Sequence, residues 1–306
     1  MRIPVENLIG TVRAGASAKR DIDVPVRVAV FLDQSATPFL IDTVRHALVP
    51  QTTSGLVRVD RLSADAAIKP DTDVAIVLTG GSEGLQEAVQ RIVIAGAPTV
   101  VIAESSVEAP FIEEDTPMLG LIAATDPDYL LARLAAWILE RSDKEAAFAA
   151  NFSFMRQAAA GQAIVSSSLA NAATGALVFI PGADLPVMTA TQLGMMVQLA
   201  TMYGKPLRAE RGYEAAGVVA GALVLRTLAR QLVKRVPGPA GILVRAAVGG
   251  VGTYAMGEAL RRVYESDIDY TRANEAVARV VDAGKRAVKG AVHLATEADE
   301  AAEGAR

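Results

Sequence analysis

The sequence PGADLPVMTATQLGMMVQLATMYGKPL, residues 181–207, opens the stretch around which the chain is organised. After a Gly/Ala-rich segment the stretch closes with VPGPAGILVRAAVGGVGTYAMGEALRRVYE, residues 236–265. Asp184 can accept a hydrogen bond from first-turn amides. Pro186 lacks only a backbone N–H that would have no partner in the first turn of a helix. A helix is therefore expected to begin here. Gly204 predicts its end.

Apolar side chains recur at helical spacing along this first helix and predict one apolar face that is rich in methionine. They are Met188, Met195, Met196, Leu199, Met202 and Tyr203. A methionine-rich face can bind varied partners. A buried helix face is the simpler interpretation, and we favour it.

Two further helices are predicted at about 208–234 and 241–264, on either side of Pro237-Gly238-Pro239. Both contain several glycines, and each glycine inside a helix costs about 1 kcal/mol relative to alanine. Such a set indicates close helix packing or a bilayer environment, of which we favour close packing. The glycines are Gly217, Gly221, Gly249, Gly250, Gly252 and Gly257.

The same stretch contains four short motifs in a fixed order. They are Leu185-Pro186 at a helix start, 192–199 with Tyr203-Gly204, Val236-Pro237 with Gly241, and Thr253-Tyr254-Ala255-Met256-Gly257. Over residues 180–265 this pattern resembles the helical domain of unknown function that follows the GTPase module in some Era-like GTPases and occurs in related bacterial inner-membrane proteins. The resemblance implies an all-α, membrane-associated domain.

Composition limits the classes of protein to which the chain can belong. Its 306 residues can form two domains. Hydrophobic residues make up 51% and aromatic residues 5%, a balance that suits packed helices and a buried parallel sheet. The net charge of −4 argues against a protein that binds polyanions over its whole surface, and no nucleic acid partner is expected.

Cysteine is absent, and the only histidines are His46 and His293. This composition excludes disulfides, thiolate metal sites, a cysteine nucleophile and a histidine-rich metal cluster. We therefore expect neither a metal nor a cofactor. Because the N-terminus lacks a continuous apolar core and no run reaches about 20 apolar residues, we expect a cytoplasmic protein, and a membrane span is not favoured.

Strands and helices alternate along residues 26–142. Such alternation predicts a parallel sheet covered by helices on both faces. Within it, 56–62 alternates between apolar and polar residues as an edge strand does. Strands are predicted at 26–32, 56–62, 73–79, 99–103 and 118–123, and helices at 39–48, 83–95 and 128–140.

The turn after the first strand lacks the residues of a phosphate-binding loop. A P-loop needs G-x-x-x-x-G-K-[ST], whose amides and lysine hold phosphates. Here 33–39 reads DQSATPF, with neither glycine nor lysine. Pro38 removes an amide donor and Asp33 would repel a phosphate, so the usual nucleotide site is absent.

The layout nevertheless resembles a GTPase module. Residues 100–105 stand where that family has its guanine-reading N-K-x-D after a strand, and 121–124, which leads into the helix at 128, resembles its final strand and turn. None of the N-K-x-D residues is present, and the D-x-x-G switch is also missing. The resemblance thus implies a degenerate P-loop-GTPase-like α/β domain.

A weak anion site is conceivable at Gly80, Gly81 and Ser82, because exposed amides before a helix attract anions. The simpler interpretation is an ordinary strand-to-helix turn with Ser82 as the N-cap. Glu83 and Glu87 lie close by and no basic side chain supports the amides, so we favour the turn.

A basic stripe is predicted in the helical half, where residues 205–265 carry ten basic and four acidic side chains. This pattern suits contact with anionic lipid headgroups or with a protein partner. A solvated face paired with acids of the C-terminal tail explains it equally well. The contact residues would be Arg226, Arg230, Lys234, Arg235 and Arg245.

These features divide the chain into five segments. In the middle segment, Phe148, Phe152 and Met155 are expected to lie on one helix face. The segments are a basic arm at 1–25, the α/β domain at 26–142, connecting helices at 143–180, a small-residue-rich helical domain at 181–266, and a C-terminal helix and tail at 267–306.

Three functions fit the sequence. The favoured one is a non-catalytic, GTPase-like binding or scaffold protein whose helical domain engages an anionic membrane surface or a protein partner, placing it peripherally on the inner face of the membrane. The second is an enzyme or ligand-binding protein with its site at the strand ends. Its candidate residues are Asp33, Ser35, Thr79 and Ser82. The third is a soluble module that forms homo-oligomers.

Overall fold

The computed structural model describes residues 21, 23–63, 66–177, 184–205 and 240–266, with side chains at all of these except 177, 184–186 and 240–245. The strands are β1 (Val26–Leu32), β2 (Gly55–Arg61), β3 (Val74–Leu78), β4 (Thr99–Ala103) and β5 (Leu119–Ala123). The helices are α1 (Pro38–Ala47), α2 (Leu85–Ile94), α3 (Pro127–Leu139), α4 (Glu145–Asn151), α5 (Met155–Leu177), α6 (Asp184–Met202) and α7 (Ala240–Glu265).

The five strands form one sheet in the order β2-β1-β3-β4-β5, and every neighbouring pair is parallel. This order is the flavodoxin-like arrangement of doubly wound folds. The predicted parallel sheet is therefore confirmed. β2 lies at the edge, as its alternating pattern predicted, whereas every residue of β3 and β4 is buried.

Successive residues of β1 face opposite sides of the sheet, and each side has its own core. Val28 and Val30 pack with buried side chains of α1, α3 and α4. Ala29 and Phe31 pack on the other side with Leu85, Val89 and Ile92 of α2. The chain therefore leaves β1 towards one face and β3 towards the other, which opens a crevice between the two loops.

The start of α2 differs from the prediction. Gly84, with φ of 77°, stands at the N-cap position, and no side chain caps the helix. Ser82 does not cap α2, because its hydroxyl donates to the Asp33 carboxylate instead.

The core of the sheet continues into the helices that follow it. Phe148, Phe152 and Met155 are fully buried in the cluster that contains β1, and Met202 of α6 joins the same cluster. The three side chains are buried as predicted, but they do not share one helix face, because Phe148 lies in α4, Phe152 caps its end and Met155 begins α5. No break in the core accompanies the predicted boundary at residue 142.

Helices α5, α6 and α7 pack on one another in the later part of the described chain. Met195, Met196 and Met202 are almost wholly buried, as predicted, but they belong to three different clusters, and Met188 is half-buried. A Cβ atom on Gly257 would lie 2.7 Å from a side-chain carbon of Ile164. This glycine therefore permits the close helix contact that we favoured.

Several predictions concern segments outside the described residues. They are most of the basic arm, the helix at 208–234 with its basic stripe, and the C-terminal segment at 267–306. None of the helices in the described part of the chain is long and apolar enough to cross a membrane.

Candidate functional site

The four residues suggested for a strand-end site meet at the carboxyl ends of β1 and β3. Oδ2 of Asp33 accepts hydrogen bonds from the hydroxyls of Ser35 and of Thr79, the latter at 2.6 Å. Oδ1 accepts from the hydroxyl of Ser82 at 2.7 Å. We call these four residues the Asp33 cluster; their side chains meet at one edge of the sheet.

The position of the cluster follows from the topology. β1 and β3 are parallel neighbours, so the residues that follow them lie side by side. The backbone amide of Asp33 continues the ladder by donating to the carbonyl oxygen of Leu78 at 2.9 Å. The hydroxyl of Thr37 donates to Glu104 after β4 and accepts from the Leu40 amide, which fixes the loop after β1 at its other end.

Asp33 is ionised within this cluster although only 7% of its surface is exposed. Burial by itself would raise the pKa of the carboxyl, but donation from Ser35, Thr79 and Ser82 outweighs burial and lowers the pKa below its ordinary value. A negative charge is therefore held at the place where a phosphate loop would need positive potential.

The glycines of the predicted anion site donate hydrogen bonds to hydroxyls of the same cluster. The amide of Gly80 donates to Ser35 Oγ and the amide of Gly81 to Thr79 Oγ1, both at 2.9 Å. Gly81 has φ of 88°, which favours glycine. Both amides already have acceptors, so an anion could bind them only by displacing a hydroxyl of the cluster.

An open cleft of about 700 Å³ lies beside the cluster, between the ends of β1 and β2 and the helix α2. Sequence reasoning placed Asp33 and Ser82 here but missed Gln34, Arg61 and Ser63. Arg61 ends β2, and only the adjacency of β1 and β2 shows that its side chain shares a cleft with Asp33. The sequence predicted a parallel sheet but not the order of its strands, so it did not show that β2 lies beside β1.

No group of three His, Cys, Asp or Glu side chains that could hold a metal ion occurs in the part of the chain that the structure describes. Of the proposed membrane or partner contacts, Arg226, Arg230, Lys234 and Arg235 lie outside the described residues. Arg245 lies in α7, but its side chain is not described. The basic stripe thus stays a prediction.

A second region of interest is the surface of the packed helices. Residues 157–177, 185–204 and 246–257 contain no Asp, Glu, Lys or Arg. Large apolar side chains are nevertheless exposed there, with Leu169 66% and Val251 69% exposed. We call this region the uncharged helical surface, and its exposed apolar members are Val165, Leu169, Val187, Val251 and Tyr254.

Beneath this surface lies a polar network that the sequence analysis missed. Thr253 Oγ1 accepts from Asn171 Nδ2 at 2.8 Å and from Gln192 Nε2 at 3.0 Å, and donates to the Gly249 carbonyl at 2.7 Å. All three side chains are buried and come from three different helices. The network therefore joins α5, α6 and α7 at one point.

No protein-family model, curated protein or solved structure matches the chain.

Proposed function

We propose that this protein is a non-catalytic binding or scaffold protein. In this proposal a GTPase-like α/β unit that has lost its nucleotide motifs carries a helical unit that engages an anionic membrane surface or a protein partner. The observation that carries the proposal is the uncharged helical surface.

Surfaces in contact with water normally intersperse charged side chains with apolar ones. On α5, α6 and α7 long uncharged stretches coincide with exposed apolar side chains. Val165 and Leu169 are four residues apart, and Val251 and Tyr254 are three apart, so each pair occupies one helix face. Covering these faces with lipid or protein would remove apolar area from water, at about 25 cal/mol per Å².

The non-catalytic part of the proposal is supported by the Asp33 cluster. Its carboxylate is negative, and its three hydroxyls are bound to that carboxylate. A nucleotide phosphate brought to this strand end would meet repulsion, and the amides of Gly80 and Gly81 are already engaged. None of the four residues of the Asp33 cluster is basic, and the arginines of the cleft, Arg61 and Arg91, donate none of the hydrogen bonds described for the Asp33 carboxylate.

Co-flotation of the purified protein with neutral and anionic liposomes, at low and high salt, tests the proposal. Salt-sensitive flotation with anionic vesicles is expected if the basic residues of 226–245 contribute. Replacing Leu169 and Val251 by glutamine should reduce flotation. Ile94→Gln is the matched control, because Ile94 is 83% exposed on α2 of the α/β unit.

Absence of flotation under all conditions would exclude the membrane as the surface that is engaged. Sedimentation velocity and crosslinking of the same variants would then separate a protein partner from self-association. Saturable GTP binding with turnover would contradict the non-catalytic proposal as a whole.

A further inference from the structure

The cleft beside the Asp33 cluster lies where doubly wound sheets bind their ligands. The order β2-β1-β3-β4-β5 places the reversal of winding between β1 and β3, and the crevice beyond that point is the usual ligand site of such folds. The volume of about 700 Å³ is within the range of small-molecule sites. Position and size together indicate a small ligand.

The wall of the cleft contains a buried anion without a cationic partner. Asp33 is more than nine-tenths buried, and none of its hydrogen bonds comes from a lysine or arginine in the described part of the chain. Hydroxyl donors keep the group charged without neutralising it. A cation placed beside this carboxylate would add a charge-assisted hydrogen bond without displacing a lysine or arginine from it.

The other residues that line the cleft indicate which kind of cation it would bind. A hard metal ion needs six or more oxygen ligands, several of them carboxylates, and the described residues offer no such group here. Glu83, Glu87 and Arg91 also line the cleft, and Arg91 forms an ion pair with Glu87 at 3.8 Å. Arg61, on the side of β2, is placed to meet a hydrogen-bond acceptor at the other end of a ligand.

We infer that this cleft binds a small organic cation, an alkylammonium or guanidinium compound whose N–H groups are received by the Asp33 carboxylate. Ser82 is the one hydroxyl of the cluster that also lines the cleft. It can turn from Asp33 to the ligand, whereas Ser35 and Thr79 are held by the amides of Gly80 and Gly81. The site goes beyond the proposed function and does not depend on it.

Isothermal titration calorimetry of the full chain with agmatine, putrescine and arginine tests the inference. 1,4-Butanediol and inorganic phosphate serve as neutral and anionic comparison probes. At least one cation is expected to bind with a Kd below about 1 mM, and neither comparison probe should bind. Asp33→Asn should weaken binding at least about tenfold, while Glu113→Gln, an exposed acid outside the cleft, should leave it unchanged.

A second variant covers the case in which Asp33→Asn fails to fold. Ser63 is exposed and lines the cleft without touching the Asp33 cluster, so Ser63→Trp should obstruct the cleft and leave the carboxylate in place. Loss of cation binding in this variant supports the inference. The inference is overturned if no cation binds the wild type, if phosphate binds instead, or if Ser63→Trp binds as tightly as the wild type.

Discussion

A Cβ atom on Gly249 would lie 2.7 Å from the backbone carbonyl oxygen of Asn171, so α7 and α5 approach each other at a distance that only glycine permits. A backbone atom in the middle of a helix cannot move aside as the end of a flexible side chain can. The contact also adjoins the buried network, since Asn171 donates to Thr253, one turn along α7 from Gly249. The separation of the two helices is therefore set at this pair.

Gly249→Ala should lower the free energy of unfolding by about 1–3 kcal/mol, because the added methyl group forces the helices apart. Urea denaturation measures the change. Gly161→Ala in α5 is the control, because its Cβ atom would meet nothing within 4 Å. That variant should gain up to about 1 kcal/mol from helix propensity. Equal effects of the two substitutions would show that Gly249 has no packing role.

Thr253→Val should cost about 1–3 kcal/mol of unfolding free energy, because the Gln192 amide loses its acceptor and the Asn171 amide keeps only the Met188 carbonyl. The oxygen atoms of both amides already lack a donor among the described residues, so Thr253→Val would add to the unsatisfied polar atoms at this point. Thr253→Ser keeps the hydroxyl and should cost about 1 kcal/mol or less. Guanidinium denaturation that places both variants within about 0.5 kcal/mol of each other would rule out a stabilising network.

The sequence predicted the strands well because they are continuous apolar runs. β1 and β4 have the predicted limits, and the edge position of β2 followed from its alternating pattern. Strand order was not predictable, since local pattern does not say which strands pair. That order places Arg61 in the cleft with Asp33, so the cleft could not be assembled from the sequence.

Side-chain pairing explains the other differences. Ser82 has the residue type of an N-cap, but its hydroxyl donates to the Asp33 carboxylate at 2.7 Å, and the helix begins only after Gly84. Asn171, Gln192 and Thr253 are far apart in sequence and sit among apolar neighbours. The sequence around each residue does not show that the three side chains meet where α5, α6 and α7 pack together.

Asp33→Asn should destabilise the protein at neutral pH, by about 1–3 kcal/mol, because three hydroxyls and the loops that carry them lose a charged acceptor. The folded-state pKa of Asp33 is lowered, so its stabilising contribution is complete above the ordinary pKa of about 4 and is lost as the pH falls through the lower folded value. The stability difference between wild type and variant should therefore shrink in acid. Denaturation curves at several pH values measure this difference.

For this acid dependence, Glu113→Gln is again the matched control, since it removes one carboxylate from an exposed position. Because this side chain is exposed, the substitution should change the free energy of unfolding at neutral pH by about 0.5 kcal/mol or less. A difference between Asp33→Asn and wild type that stays constant from neutral pH to acid would contradict the assignment of a lowered pKa to Asp33.

Tyr203→Phe tests the pH dependence of stability and the contribution of one hydrogen bond at the end of the helical unit. The Tyr203 hydroxyl donates to Glu265 Oε1 at 2.8 Å, and Arg261 donates to the same oxygen. Burial first, and then the hydrogen bond to Glu265, raise the pKa of Tyr203 above its ordinary value near 10. The folded protein thus retains this proton at a pH where the unfolded chain releases it. The wild type should lose stability with rising pH above about 10 more steeply than Tyr203→Phe.

At neutral pH the Tyr203→Phe substitution should cost about 0.5–1.5 kcal/mol of unfolding free energy for the lost hydrogen bond. Guanidinium denaturation at neutral and alkaline pH, with absorbance at the tyrosinate band, measures both effects. Parallel stability curves for the two proteins would show that the phenol titrates as it does in the unfolded chain.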